Sequence, residues 1–249
     1  MAGHSKWANI KHRKATSDAK RGKVFTRIAK ELTIAARDGG GDPEANPRLR
    51  LVIQQARAAN MPNDNIDRAI KRGTGELEGQ RLEQFMLEGY GPGGIGILIE
   101  CVTDNRNRTV ADVRHLLSRN GGSMADAGSV AWNFSRKSVI AIDKAGTNED
   151  DVLVAVIDAG AEDVKEEEET FDVYAEPENF DAVREALETA EHSIKEAKLA
   201  FVPNQSVELT DGNVASALKL LDALDDADDV QNVFSNAEIS DEEFAKIEE

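Results

Sequence analysis

Apolar residues recur at helical spacing through the first 72 positions and at strand spacing through much of the remaining chain. Over residues 17–37, Phe25, Ile28, Leu32, Ala35 and Ala36 fall on one arc at about 100° per residue, which predicts a helix with one buried face. The run Gly39, Gly40, Gly41, Asp42, Pro43 ends that helix, and Leu49, Val52, Ile53 and Ala56 mark a second. After a break at Asn60, Met61, Pro62 and Asn63, a short third helix carries Ile66, Ala69 and Ile70.

Beyond Gly79 the pattern predicts paired strands over 85–90 and 95–102, a helix around Val110, Val113, Leu116 and Leu117, and a third strand in which Val130, Trp132 and Phe134 alternate. Next come a strand (138–142), a helix (150–159), two strands (161–165 and 170–175), a helix (177–189) and a strand (194–201). This is the βαββαβ order of a ferredoxin-like module. The last elements are a short strand or connection at 205–209, a helix at 214–224 and a strand at 230–234. They either complete the earlier ββαβ set, with 135–203 inserted in a loop, or form a serial addition. The fold class is α+β and multidomain: a basic arm and three-helix domain (1–79), a discontinuous α+β domain (80–134 plus 204–238), an inserted acidic domain (135–203) and an acidic tail (239–249).

Charge sharpens this division. The chain carries a net −17, with 47 acidic and 30 basic residues, which on its own argues against nucleic acid. Yet residues 1–72 have a net +9 and residues 135–249 a net −23, so a basic segment is joined to an acidic body. On the first predicted helix, Lys20, Lys23, Arg27, Lys30 and Arg37 form a stripe opposite the apolar face. With Lys6, Lys11, Arg13, Lys14 and Arg21 they suit contacts to phosphates, which supply affinity and salt dependence but little reading of sequence. Trp7 either stacks on a base or anchors the arm.

Other chemistries find little support. Gly89–Gly96 satisfies G-x-G-x-x-G, but a strand comes after it where a dinucleotide site needs a helix, so a glycine-rich hairpin loop is expected. Cys101 shares a face with Ile95, Ile97 and Ile99 and is expected to be packed; a lone cysteine fits a reducing compartment. His4, His12, His115 and His192 have no metal-ligand spacing, and no cofactor motif or catalytic constellation is signalled, so an enzyme is not expected. The clusters Glu166–Glu169 and Asp225, Asp226, Asp228, Asp229 read as solvated edges or helix ends. With a net −12, residues 135–203 would repel phosphate and more plausibly meet protein or shape the particle.

Several motifs together resemble the YebC family. They are the opening Met-Ala-Gly-His-Ser-Lys-Trp-Ala-Asn-Ile-Lys-His-Arg-Lys, the stretch from Gly40 to Arg50, Ala59-Asn-Met-Pro-Asn-Asp-Asn-Ile, Glu88-Gly-Tyr-Gly-Pro-Gly-Gly, Thr103-Asp-Asn-Arg-Asn-Arg-Thr and Gly128-Ser-Val-Ala-Trp-Asn-Phe. The resemblance implies three domains around a cavity, two of them ferredoxin-like with one inserted in the other. It also implies a cytoplasmic transcriptional regulator that binds promoter DNA. Relatives that include the mitochondrial translational activator of cytochrome c oxidase act at the ribosome, so a translation factor that contacts ribosomal RNA and relieves stalling, for example at proline runs, is the alternative. No catalytic residues carry over, and the implied DNA- or rRNA-binding surface falls on the basic residues already named.

Overall fold

The structure, a computed structural model, describes residues 18–79, 81–167, 169–210, 212–240 and 242–243, with side chains from residue 22 onward. Helices α1 (Asp18–Gly39), α2 (Pro47–Ala58) and α3 (Asn63–Gly73) form the N-terminal unit. Leu32, Ala35, Ala36, Leu49, Val52, Ala56, Ile66 and Ala69 make its core, joined by Met61 from the break between α2 and α3. The chain leaves α1 through Gly40, whose φ of 87° is left-handed and suits glycine.

Asn46 links α1 to α2. It is buried, its side-chain oxygen caps α2 by accepting from Leu49 N at 3.0 Å, and its amide donates to Ala35 O and Gly40 O at 2.8 Å each. Asn46→Ala removes a cap and strands two carbonyls, and it should lower stability by about 2 kcal/mol in urea unfolding followed by far-ultraviolet circular dichroism.

A first sheet has the order β3-β1-β2-β9, from β1 (Glu83–Tyr90), β2 (Gly96–Thr103), β3 (Ser123–Ala125) and β9 (Val230–Ser235), with antiparallel neighbours throughout. Helices α4 (Arg106–Arg119) and α7 (Gly212–Asp225) cover one face, burying Ile97, Ile99 and Cys101 against Val113, Leu117, Ala217 and Leu220. Burial, reinforced by the Asp229 and Glu100 charges, pushes the Cys101 thiol up to about 12. Between β3 and β9 the chain builds a second sheet, order β5-β6-β4-β7, from β4 (Phe134–Asp143), β5 (Ala161–Glu166), β6 (Thr170–Ala175) and β7 (Ile194–Pro203). Helices α5 (Glu149–Val156) and α6 (Phe180–Thr189) pack on it around Ile140, Ile142, Val173 and Leu187. A short parallel pair, β8 (Val207–Leu209) with β10 (Ala237–Ile239), completes the fold. The two sheets meet through Leu98, Val139, Ala200 and Phe234, with Phe201 and Phe234 edge to face at 5.4 Å.

One expected element is corrected. Val130, Trp132 and Phe134 do not form the third strand of the first sheet: Ala131–Asn133 is a 3-10 turn and Ser123–Ala125 takes the edge position beside β1. Glu88 is the cause. Its buried carboxylate accepts from Gly128 N, Val130 N and Ala131 N at 2.7, 2.6 and 2.9 Å, curling the segment around itself. An alternating apolar pattern cannot reveal a distant carboxylate that claims the backbone donors a strand would use.

Candidate nucleic-acid interface

Three cations of the predicted α1 stripe meet acidic residues of the same chain. Opposite the apolar face, Lys23, Arg27 and Lys30 meet the acidic loop between α7 and β9. Lys23 Nζ lies 3.2 Å from Asp226 Oδ1 and donates to Asp226 O at 2.8 Å. Arg27 pairs with the Asp225 carboxylate at 3.3 Å and donates to the Asp225 carbonyl. Lys30 Nζ reaches Asp229 Oδ1 at 3.1 Å and also donates to Val102 O and Asp228 O.

Helix polarity accounts for the match. A helix C-terminus presents unpaired carbonyls and partial negative charge, so Asp222, Asp225 and Asp226 at the end of α7 have the unfavourable sign there. Three cations from α1 supply what α7 lacks, hydrogen-bonding the loop carbonyls as well as the carboxylates. The expectation of a solvated helix end holds for the exposed Asp226 and Asp228 and is corrected for Asp225 and Asp229, which are largely covered by Arg27 and Lys30.

Asp229 is the centre of the dock. Its Oδ2 accepts from Arg108 Nη2 at 2.7 Å, Thr109 Oγ1 at 2.8 Å and Thr103 Oγ1 at 3.0 Å. Burial pushes its pKa up, but the bonds from Arg108, Thr109 and Lys30 outweigh this and bring it down to about 2. Next to it, Gln231 Nε2 donates to Arg27 O at 2.9 Å, and Glu31 is raised by burial and then by the nearby Glu100 charge.

The remaining predicted residues divide. Arg37 donates to Leu82 O at 2.6 Å and to Asp38 at 2.9 Å, tying α1 to the segment that enters β1. Lys6, Trp7, Lys11, Arg13 and Lys14, and the side chains of Lys20 and Arg21, lie outside the described residues.

The exposed cations with no acidic partner among the described residues are elsewhere on the unit. Arg68, Lys71 and Arg72 lie on one side of α3, at i, i+3 and i+4, opposite Ile66 and Ala69, and Arg57 is exposed on α2. In the sequence these residues count only as general charge. Their helical spacing is legible there, but their freedom is not, because it depends on which basic face the acidic loop covers. No group of three or more His, Cys, Asp or Glu side chains among the described residues is arranged to hold a metal ion, and no described helix is long and apolar enough to cross a membrane.

Residues 5–76 match the family model for the TACO1/YebC protein N-terminal domain, and residues 82–237 match that for the TACO1/YebC second and third domain. The chain belongs to the TACO1/YebC family. A relative from Syntrophomonas wolfei, named "Probable transcriptional regulatory protein", is 53% identical over 99% of this chain and 100% of its own length. One of the same name from Salinispora arenicola is 54% identical over 99% and 100%. The crystal structure of the conserved hypothetical protein Aq1575 from Aquifex aeolicus superposes with a TM-score of 0.83 at 43% identity, covering 90% of this chain and 93% of that one. The α+β architecture is thus the YebC fold.

Proposed function

We propose that this YebC-family protein is a cytoplasmic regulator of gene expression that acts by binding nucleic acid, not by catalysis, and that its N-terminal domain holds the phosphates. The observation that carries the reading is the pairing of charges. Lys23, Arg27 and Lys30 of α1 are matched within the chain, whereas Arg57, Arg68, Lys71 and Arg72 are exposed without acidic partners among the described residues, and Lys6, Lys11, Arg13 and Lys14 precede them in sequence. Promoter DNA is the first target, in keeping with the names of the relatives. Ribosomal RNA is the second, because the family model joins YebC to TACO1 and phosphate contacts serve either polymer. The acidic body then restricts how the particle approaches its target, by repulsion.

Crosslinking in cells, with the attached DNA and RNA sequenced together, separates the two targets. Arg68→Glu, Lys71→Glu and Arg72→Glu combined should lower affinity about ten-fold at physiological salt and flatten the log–log salt dependence by about 3. Binding unchanged in both respects removes α3 from the interface.

A further inference from the structure

The glycine-rich hairpin and the turn before β4 lie outside the residues assigned to phosphates above, and they converge on one exposed spot. Trp132 is 66% exposed and Tyr90 41%. Both rings are tethered by their polar edges to the same acceptor: Trp132 Nε1 donates to Ser129 O at 2.9 Å, and Tyr90 Oη donates to it at 3.3 Å. That carbonyl sits in the turn held by Glu88, so the rings are presented from a fixed backbone. Gly93 and Gly94, which follow Tyr90 in the hairpin loop, are exposed at φ of 78° and 79°.

The two segments that carry the rings differ in charge from the rest of the body. No side chain is charged across residues 89–99, and across 119–136 Arg119 and Arg136 stand against Asp126 alone. The two segments themselves thus bring few carboxylates to a polyanion that meets the rings. Exposed aromatic rings on rigid supports offer the faces on which bases stack, and stacking tolerates any base sequence.

We propose that Tyr90 and Trp132 form a stacking platform for unpaired bases in a single-stranded stretch of the bound nucleic acid. The proposal rests on the nucleic-acid reading above and adds to it the class of target, since a fully paired duplex offers no free base face.

The test uses the full chain, with Trp7→Phe added for the emission measurements alone, where it leaves Trp132 as the sole indole. Its probes are a short unstructured single-stranded RNA, a DNA of the same sequence, and a duplex of equal length. Trp132 emission should be quenched by the single strands and not by the duplex. Tyr90→Ala with Trp132→Ala should weaken single-strand binding about ten-fold or more, with duplex affinity and salt dependence unchanged. Trp132→Phe should restore most of the loss. Both rings are exposed, so the circular dichroism of the alanine variant should match that of the parent. Undiminished single-strand affinity in the double variant overturns the platform, even if the rings serve a protein surface. A parent that binds neither single strand nor duplex overturns the phosphate reading, and the platform with it.

Discussion

Asp229→Ala should lower the stability of the protein by about 2–3 kcal/mol and loosen the N-terminal domain from the first sheet. The Asp229 carboxylate, 16% exposed, is where α1, β2, α4 and β9 meet, through Lys30, Thr103, Arg108 and Thr109. The loss stays below that of a fully stranded ion pair. Lys30 keeps the carbonyls of Val102 and Asp228, and Thr109 can turn its hydroxyl to Asn105 O at 3.2 Å.

The same residue sets a pH dependence. Its pKa in the folded protein, about 2, lies below the ordinary carboxylate value of about 4, so its stabilisation is complete above about pH 4 and disappears as pH falls through about 2. Urea midpoints of the parent and of Asp229→Asn should therefore converge across that window and stay apart at neutral pH. A constant gap down to pH 2 would show that the carboxylate is not the group responsible. Protease cleavage between α3 and β1 should accelerate in the variant at neutral pH, because α1 is held to the sheet through this dock.

Glu88→Ala should cost about 3 kcal/mol. Three backbone N–H groups lose an ionised acceptor, and that of Val130 is buried. Glu88→Gln should cost about 1 kcal/mol, since one amide oxygen can still accept from Val130 and Ala131 while the amide nitrogen confronts the donor of Gly128. Burial raises the pKa of Glu88, but the three N–H bonds outweigh it and the net shift is downward, so its stabilisation too is lost toward acid pH. With Trp7→Phe in place, the alanine variant should also show lower Trp132 fluorescence anisotropy at neutral pH, because the turn that carries the indole loses its anchor. Unchanged anisotropy together with unchanged stability would mean that the backbone of 128–131 holds its shape without Glu88.

Both residues show where sequence patterns stop. Glu88 is visible within a Glu-Gly-Tyr-Gly motif, and Asp229 within an acidic run, but each works through partners 40 or more positions away: Gly128 to Ala131 for Glu88, and Lys30, Thr103 and Thr109 for Asp229. The apolar positions fare differently. Leu32, Leu49, Val52, Ile66, Ile97, Ile99, Val113 and Leu117 are buried where helix or strand periodicity puts them, because a side chain's face follows from its own local repeat. Strand β10 is invisible in the sequence: three residues paired in parallel with β8 carry too little pattern of their own.

By itself the sequence determined the order of helices and strands, the apolar faces, the family, and the separation of a basic first domain from an acidic body, because each is a local or additive property of the chain. Tertiary structure alone decided which of the described cations find acidic partners. The stripe Lys23, Arg27, Lys30 and the exposed set Arg68, Lys71, Arg72, which has no acidic partner among the described residues, look alike in composition, and they differ because the α7–β9 loop packs against α1 and leaves these α3 cations exposed. Whether a charge is paired depends on distances between residues some 200 positions apart, which no local pattern encodes.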